Sequence, residues 1–397
     1  MKIFFILKNT YPKGMASTAR VRCYGQGFVN EGYETHVLLP ISLEPHGSKQ
    51  INKLSKGTDE NGVHYQYMSG SSLRGNNIIM RQIDDLWGYF HTLLYIILHI
   101  RKNDQVIVYE GGVIWHWCCI TAIHLKGAKA TMELNELPFG TGKETSKRIR
   151  QRKRMLQYIF PRYDQFLIIS ESLKELVLQN APKAKVIKVP ILISPKPQPE
   201  TTSPTDKTYL FHSGTLSQQK DGILGIIEAF GKVCQQIETP IYYYFTGNLK
   251  VSPCRNAIEN LITQYHIEDR IKFLGYLENS EVQRYQQHCA LTVIYKYLTQ
   301  QNKYCFSTKL GEYLMTSRPV IITEVGEATH YLQNGQTAYI IPPDDTDLLA
   351  ETIVDVLTHP TEAQKIGNAG KEFAEKVFNT NYQARRIIQF FKDGIAS

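Results

Sequence analysis

Short apolar runs alternate with amphipathic segments along the chain, and this alternation limits the possible folds more than any other feature. The run "IFFIL" (3–7) is apolar throughout, as expected for a parallel strand buried on both faces. Similar runs follow in "ETHVLLP", "QVIVYEG", "AKATMEL" and "QFLIIS", with helical patterns between them. Strand–helix alternation predicts an α/β fold with parallel sheets covered by helices on both faces.

The alternation stops at 194–206, "SPKPQPETTSPTD", and then starts again. This segment contains four prolines and is typical of a linker between domains. We therefore predict a Rossmann-like domain at 1–195, a linker at 196–206, a second Rossmann-like domain at 207–378 and a last helix at 379–397. Ligands of open parallel sheets bind outside the carboxyl ends of the strands, so a site is expected in a cleft where the two domains face each other.

Positive charge is concentrated in the first half. Residues 1–195 contain 26 Lys and Arg against 15 Asp and Glu, a net charge of +11, whereas 196–397 contain 19 against 22, a net charge of −3. This asymmetry suggests an anionic partner for the first half. The densest basic stretch, 143–160, is interpreted either as a solvated helix face or as a segment that lies on an acidic membrane leaflet.

Other sequence features narrow the class of protein. The stretch "LWGYFHTLLYIILHI" (86–100) is too short for a membrane span and predicts a buried or membrane-surface helix. The seven cysteines form no C-x-x-C and no zinc-type cluster, so reduced thiols and no metal are expected. "MKIFFILKN" is interpreted as a strand rather than a signal peptide, which predicts a cytoplasmic protein. The basic half has no recognised nucleic-acid-binding motif, so no nucleic-acid partner is expected.

Four glycines follow predicted strands of the second half: Gly214, Gly247, Gly275 and Gly326. Glycine permits tight turns and the close approach of a phosphate-bearing ligand, although each could also be an ordinary turn glycine. Lys220, six residues after Gly214, is placed either to neutralise a diphosphate or to remain a solvated loop lysine.

A second group of polar residues stands where a helix is predicted to begin, in "FSTKLGEYLMTSRPVI" (306–321). The first N–H groups of a helix lack partners and its dipole is positive there, so Ser307, Thr308 and Lys309 are candidates to hold a phosphate. Glu312, one turn further on, can accept hydrogen bonds from a ribose diol. The alternative is that Ser307 only caps the helix and Glu312 only favours its dipole.

Five segments occur in an order that resembles the C-terminal half of a family-4 glycosyltransferase with the GT-B fold: "SGTLSQQKDGILGIIEAF", "YYYFTGN", "IKFLGYLENSEVQRYQQHCALTVIY", "FSTKLGEYLMTSRPVI" and "NGQTAYIIPPDDTDLLAETI". The resemblance covers most of 208–355 and is looser over the first half. It implies sugar transfer from a nucleoside-diphosphate-sugar, with UDP or GDP as the nucleotide, to a glycan or lipid-linked acceptor. It further implies retention of configuration, no metal or cofactor, and a role in bacterial surface polysaccharide or glycolipid synthesis.

The resemblance also implies roles for single residues. Glu312 corresponds to the second glutamate of the E-x7-E signature, which holds the ribose, and Thr308 lies in the loop whose amides hold the phosphates. Lys220 corresponds to the lysine that neutralises the leaving diphosphate. Leu277 falls where the backbone meets the base, and Gly14 falls in the N-terminal loop near the diphosphate and acceptor.

The sequence departs from the family pattern at three places. Tyr304 stands where the first signature glutamate is expected, and Thr215 replaces the arginine that usually follows Gly214; Thr215 is kept as a donor-binding candidate. In "MELNELPFG", Asn135 and Glu136 stand where a histidine is common; Glu136 is a candidate for the sugar-facing catalytic role, although a strand-end acid paired with a nearby basic residue is an equal interpretation. We expect Asn135 and Arg20 to contact the acceptor.

These departures keep a second hypothesis open, a protein that binds a nucleotide-sugar with weakened or no transferase activity. A phosphorylase or a sugar-nucleotide epimerase with the GT-B fold is a minor alternative.

Overall fold

A computed structural model describes residues 1–45, 51–140, 144–194 and 201–395. The chain divides into two compact units. Unit 1 comprises Met1–Pro195 together with Phe378–Ser397, and unit 2 comprises Lys196–Val377. The predicted linker, 196–206, lies partly outside the described residues, and its described part, 201–206, contains no helix or strand.

The described part of unit 1 contains an eight-stranded sheet with the order β3-β4-β2-β1-β5-β6-β7-β8. Its strands are β1 (Ile3–Ile6), β2 (Thr35–Leu39), β3 (Lys56–Thr58), β4 (His64–Tyr67), β5 (Gln105–Val108), β6 (Lys129–Leu134), β7 (Gln165–Ile168) and β8 (Lys185–Lys188). All neighbours pair in parallel except β3 and β4, which form an antiparallel edge. The central strands β1, β5 and β7 are buried along their whole length, which explains their continuous apolar runs.

The helices described in unit 1 are α1 (Ala16–Asn30), α2 (Ile78–His99), α3 (Val113–Leu125), α4 (Ser146–Arg154), α5 (Glu171–Asn180) and α14 (Thr380–Ile395). A π-helical turn, Met155–Ile159, continues directly from α4. The sequence offers Ser170 or Ser172 as the cap of α5, and Ser170 is the one that accepts a hydrogen bond from the Leu173 amide, at 3.3 Å.

In the sequence, Ser17 is a plausible N-cap of the first helix, and this prediction is wrong. Helix α1 begins at Ala16, after Met15, so Ser17 lies inside it and no side chain caps it. The Ser17 hydroxyl instead accepts a hydrogen bond from the Asn9 side-chain amide, which joins the helix to the loop after β1. The Ser17 hydroxyl oxygen therefore bonds to a side chain from outside the helix and not to the helix's own amide groups.

The last helix, α14, packs within unit 1 although 182 residues of unit 2 separate it from the rest of that unit. It lies against α1, where the Phe28 and Phe391 rings are 6.4 Å apart. A side chain at Gly27 would come within 2.7 Å of the Ala384 methyl group, so the two helices approach closely at this glycine. Ile387 and Phe391 are fully buried in the unit 1 core.

Unit 2 contains, among the described residues, a six-stranded sheet with the order β11-β10-β9-β12-β13-β14 and only parallel pairing. Its strands are β9 (Tyr209–His212), β10 (Tyr242–Thr246), β11 (Ile271–Gly275), β12 (Thr292–Ile294), β13 (Val320–Thr323) and β14 (Tyr339–Ile341). Its helices are α6 (Gln218–Asp221), α7 (Ile223–Gln236), α8 (Arg255–Tyr265), α9 (Asn279–His288), α10 (Gln300–Lys303), α11 (Thr308–Leu314), α12 (Thr346–Thr358) and α13 (Pro360–Val377). Two parallel-sheet units confirm the α/β class predicted from strand–helix alternation.

Candidate functional site

Three glycine turns meet at the carboxyl edge of the unit 2 sheet. Gly214 follows β9, Gly247 follows β10 and Gly275 ends β11, and these strands are neighbours. The Gly247 amide donates to the Gly275 carbonyl at 2.8 Å, and an added Cβ on Gly247 would lie 2.6 Å from the Gly214 carbonyl oxygen. Because Gly247 also has φ +95°, only glycine fits there without strain. The three turns therefore present backbone where side chains would otherwise stand.

The first of these turns is held by a buried ion pair. The Thr215 amide and hydroxyl both donate to the Asp221 carboxylate at 3.1 Å. The other carboxylate oxygen pairs with the Lys309 ammonium group, which belongs to α11. An added Cβ on Gly214 would lie 2.7 Å from the Lys309 Nζ atom. Asp221 and Lys309 thus connect the turn after β9 to the first turn of α11.

The charges of this cluster influence one another strongly. Burial alone would raise the pKa of Asp221, but the positive Lys309 and the nearby His212 outweigh it and hold that pKa well below its usual range. Burial, together with the Lys309 charge, lowers the pKa of His212 to about 3, so this imidazole is neutral near pH 7. Burial also lowers the pKa of Lys309, against the opposing effect of Asp221.

Helix α11 starts where the sequence predicts. Ser307 stands at its N-cap position, but its side chain makes no capping hydrogen bond. Thr308 is exposed, whereas Lys309 is committed to Asp221 rather than free to bind a ligand. Glu312 is exposed to solvent, yet desolvation by surrounding groups raises its pKa, while a hydrogen bond with Gln286 and the Lys309 charge lower it.

The remaining donor-site candidates of unit 2 lie around these turns. Lys220 is exposed on the short helix α6, next in sequence to Asp221, and Thr215 is exposed beside Gly214. Leu277 is half-buried, two residues after β11 ends at Gly275. The structure thus places the predicted candidates of unit 2 on turns and helix starts that follow the carboxyl ends of its strands.

The departure at Tyr304 lies in the loop between α10 and α11. This loop packs on Gly326, where an added Cβ would come within 2.5 Å of the Cys305 carbonyl oxygen. Lys296, which follows β12, also reaches this loop, with its ammonium group 3.6 Å from the Cys305 sulfur. The position of the expected glutamate therefore carries Tyr304, next in sequence to the cysteine that Lys296 contacts, and the sequence analysis did not single out this lysine.

Sequence reasoning also missed Asp221 and Gln286. Asp221 is 88 residues from its partner Lys309, and no local pattern reports such a pairing. A signal did exist for Lys296, because it directly follows an apolar strand, where ligands of parallel sheets are expected.

Three of the four candidates in unit 1 lie at the carboxyl edge of the sheet, and the fourth lies in the core. Gly14 is exposed just before α1, where a Cβ would lie 2.4 Å from the Thr18 hydroxyl. Asn135 follows β6 and donates a hydrogen bond to the Tyr109 hydroxyl, and Glu136 is exposed next to it. Gly14 stays a predicted donor contact, Glu136 a predicted catalytic residue and Asn135 a predicted acceptor contact.

Arg20 lies in the core rather than at a surface. Its guanidinium pairs with Glu133 at 2.6 Å and donates to the carbonyls of Pro190 and Val189 and to the Tyr24 hydroxyl. Its side chain is only 4% exposed. These contacts occupy the guanidinium inside unit 1, so Arg20 joins α1 to the segment after β8 instead of meeting an acceptor.

Among the described residues, no group of three or more His, Cys, Asp or Glu side chains is arranged to hold a metal ion. Within the same residues, no helix combines the length and the apolar character that a membrane span requires.

Comparisons with known proteins point to one class of enzyme. Residues 194–373 match the protein-family model described as Glycosyl transferases group 1. N-acetyl-alpha-D-glucosaminyl L-malate synthase of Bacillus anthracis is 24% identical over 155 residues, which are 39% of this chain and 38% of that protein. The aligned region thus covers less than half of that relative's own length. The match assigns 194–373 to a glycosyltransferase domain and supports the predicted enzyme class.

Solved structures resemble the chain over nearly its full length. Sucrose-phosphate synthase from Thermosynechococcus elongatus has a TM-score of 0.72 at 16% identity, and the match covers 100% of this chain and 99% of that one. Anabaena Alr3699/HepE in complex with UDP-glucose has a TM-score of 0.67 at 14% identity, covering 99% and 100%. Identities this low show the fold alone. The chain has the GT-B fold that the resemblance implied.

Proposed function

We propose that this protein is a retaining, metal-independent glycosyltransferase. It moves a sugar from a nucleoside-diphosphate-sugar, with UDP or GDP as the nucleotide, to a glycan or lipid-linked acceptor in bacterial surface polysaccharide synthesis. We place it in the cytoplasm or on the inner face of the plasma membrane. The observation that carries the proposal is the edge of unit 2, where Gly214, Gly247 and α11 meet inside the segment that matches the glycosyltransferase model.

The glycine turns supply what a diphosphate needs first, which is close access to backbone. With no side chain at Gly214 or Gly247, phosphate oxygens can approach the turns after β9 and β10 directly. The pair of Asp221 and Lys309 positions the Gly214 turn without presenting a loose charge. Lys220 is exposed beside it and supplies the cation that meets the charge developing on the leaving diphosphate.

Glu312 is exposed on α11. In this proposal its carboxylate binds the ribose of the nucleotide. In the transfer step the bond between the anomeric carbon and the diphosphate oxygen breaks, and a new bond forms to the acceptor oxygen. The acceptor proton passes to the departing phosphate on the same face of the sugar. The unit 1 residues Asn135 and Glu136 are assigned to the acceptor and the transferred sugar, respectively.

The second hypothesis, nucleotide-sugar binding without turnover, is favoured by one observation. Tyr304 occupies the position of the first signature glutamate, so a phenol hydroxyl stands where the family pattern has a carboxylate. If that carboxylate is required for transfer, the protein retains the nucleotide site and loses the reaction.

Thermal unfolding against UDP, GDP, ADP, CDP and dTDP tests the donor site. A ligand at 100 times its dissociation constant adds about 2.7 kcal/mol to the unfolding free energy, so one nucleotide should raise the melting temperature clearly. Glu312→Gln should lose most of that shift because the amide cannot accept two hydrogen bonds from the ribose diol equally well. Glu351→Gln, the same change at an exposed position of α12, is the matched control and should keep it.

A transfer assay separates the two hypotheses. With the stabilising nucleotide known, its sugar-linked forms are supplied with an acceptor extract, with and without EDTA, and the anomeric configuration of the product is read by NMR. Retained configuration unaffected by EDTA supports the proposal. Nucleotide binding with no transfer favours the binding protein, and no stabilisation by any diphosphate would remove the donor-site assignment.

A further inference from the structure

Helix α2 carries its bulky apolar side chains on the outside. Six of them recur every three or four residues and are 37% to 69% exposed: Ile79, Ile83, Leu86, Phe90, Leu94 and Ile97. Trp87 adds a ring that is 53% exposed. An ordinary surface helix shows the opposite arrangement, with its apolar stripe facing the core.

The buried side of α2 is formed mostly by small residues, so the helix packs without most of its large apolar side chains. The buried positions of this helix are Gly88, Thr92 and Ile96, two of which are small. An added Cβ at Gly88 would lie 1.8 Å from the Pro40 carbonyl oxygen, so the helix rests directly on backbone at that point. Close packing through small residues therefore anchors α2, and the large residues remain available for another partner.

Helix α3 extends the same apolar surface. It packs against α2, where the Tyr89 and Trp115 rings are 4.5 Å apart. Its own exposed apolar side chains are Ile114, Trp117 and Leu125, which are 79%, 48% and 75% exposed. Exposed apolar side chains on two helices that pack together mark an interaction site more than single scattered residues do. We refer to the exposed apolar side chains of α2 and α3 as the α2–α3 surface.

Positive charge borders the α2–α3 surface. The π-helical turn that continues α4 packs against α3. Six of the nine residues of α4 are basic: Lys147, Arg148, Arg150, Arg152, Lys153 and Arg154. Arg101 and Lys102 are exposed directly after α2, whereas 86–100 contains no Asp, Glu, Lys or Arg.

We propose that the α2–α3 surface docks on a bilayer that contains acidic lipids, with α2 lying in the interface and α4 among the headgroups. Apolar residues with Trp on one side and Lys and Arg beside them are the features of a helix that lies on, rather than across, a membrane. Acidic lipids attract the basic residues of α4. This assignment unites two stretches that the sequence had suggested separately, 86–100 and 143–160.

A second copy of the chain fits this surface less well. The basic residues of α4 find opposite charge on an acidic lipid surface, and this complementarity favours the bilayer as the occupant. A lipid-linked acceptor would also be well placed here. Lys8 follows the carboxyl end of β1, and its ammonium group lies 5.1 Å from the centre of the Tyr89 ring on α2, so α2 lies close to the edge where the acceptor is proposed to bind. Membrane docking itself does not require the proposed transfer reaction.

Vesicle co-sedimentation of the full chain tests the proposal. Vesicles of phosphatidylcholine alone and of phosphatidylcholine with phosphatidylglycerol are compared at low and high salt. We expect binding to the acidic vesicles that weakens with salt, and about a tenfold loss of affinity in Ile83→Gln/Trp87→Gln/Phe90→Gln. Arg150→Gln/Lys153→Gln/Arg154→Gln should remove the preference for acidic lipid.

The matched control is Leu178→Gln/Val251→Gln/Tyr382→Gln, which removes three exposed apolar side chains outside the α2–α3 surface. It should bind vesicles as the wild type does. Circular dichroism shows whether each variant is folded, and the α2 variant should keep the nucleotide-dependent melting shift in solution. Vesicle binding and nucleotide binding are thereby tested independently.

Tryptophan quenching gives a second readout of the same contact. The three tryptophans of the chain lie on α2 and α3; Trp87 and Trp117 are exposed and Trp115 is buried. Brominated acyl chains should quench the fluorescence of the bound wild type, and Trp87→Phe/Trp117→Phe should lose most of that quenching. Absence of vesicle binding overturns the proposal, as does light scattering that shows a dimer which the α2 variant dissociates while neither protein binds vesicles.

Discussion

Each unit contains a buried ion pair between a basic residue and a carboxylate, but the two pairs stand in different places. In unit 1, Arg20 and Glu133 lie in the core with side chains 4% and 0% exposed. In unit 2, Lys309 and Asp221 lie at the carboxyl edge of the sheet, with side chains 25% and 4% exposed. Arg20 joins segments of the fold, whereas Lys309 joins a glycine turn to the helix proposed to bind a nucleotide. Burial of an ion pair therefore does not by itself mark a site.

The electrostatic balance of the two carboxylates also differs. Burial raises the pKa of Glu133 despite the adjacent Arg20. Burial also acts on Asp221, but there Lys309 and His212 outweigh it and the pKa falls well below its usual range. The surroundings of Glu133 thus disfavour its charge, whereas the surroundings of Asp221 favour its charge.

The largest effect is expected when the core pair is broken. Arg20→Met should lower the unfolding free energy by about 3–5 kcal/mol, because it leaves Glu133 buried without its partner. Arg255→Met is the matched control, since Arg255 and Glu259 form an exposed pair on α8, and it should cost less than about 1 kcal/mol. Urea unfolding of both variants measures the difference. Equal costs would mean that the core pair contributes no more than a surface pair.

The contrast between these pairs also shows how far the sequence alone could lead. Apolar runs such as 3–7 and 165–170 predicted strands because a strand of a parallel sheet is buried on both faces. The glycines at strand ends predicted the edge of unit 2 for a related reason, since close backbone approach has a local signature. Arg20 carried no such signature. Its partner Glu133 is 113 residues away, and only the packing of α1 on the sheet brings the two together.

Helix α2 was ambiguous in sequence for a different reason. The stretch 86–100 is apolar on all sides, so its periodicity could not decide which side faces the core. The small residues Gly88 and Thr92 mark the buried side, but small residues become informative only when the backbone that they contact is known. The same limit applies to Asp221, whose role depends on a lysine from another helix.

The second prediction sharpens the comparison through acid titration. Asp221 has a folded-state pKa below its unfolded value of about 3.9, so its contribution to stability is present above that pH and is lost as the pH falls below it. The unfolding free energy of Asp221→Asn should therefore fall less steeply than that of the wild type below about pH 4, by up to about 1.4 kcal/mol per pH unit. Unfolding free energies measured across this range give the slopes.

Glu133→Gln is the counterpart in unit 1, and the expected sign is reversed. A carboxylate with a raised folded-state pKa contributes stability below its unfolded value of about 4.3, and this contribution is lost as the pH rises. On acidification the wild type gains stability through Glu133, and the variant lacks that gain. The unfolding free energy of Glu133→Gln should therefore fall with decreasing pH at least as steeply as that of the wild type. A flatter curve for Glu133→Gln than for Asp221→Asn would contradict the assignment of the two pairs. Only slopes are compared, so a uniform loss of stability does not matter.

The smallest effect separates backbone strain from crowding at the proposed nucleotide edge. Gly247 and Gly275 both have positive φ, +95° and +74°, so an alanine at either position should cost about 1–2 kcal/mol of conformational energy. Only Gly247 is crowded, because its Cβ would lie 2.6 Å from the Gly214 carbonyl oxygen, whereas nothing lies within 4 Å of a Cβ at Gly275. Gly247→Ala should therefore lose about 1 kcal/mol more stability than Gly275→Ala in urea unfolding. It should also weaken the nucleotide-dependent melting shift, because the added methyl group displaces the Gly214 turn that Asp221 and Lys309 hold. Equal losses with an unchanged shift would mean that the Gly214 turn can move freely, and the edge of unit 2 would then not be the rigid surface that the proposed function requires.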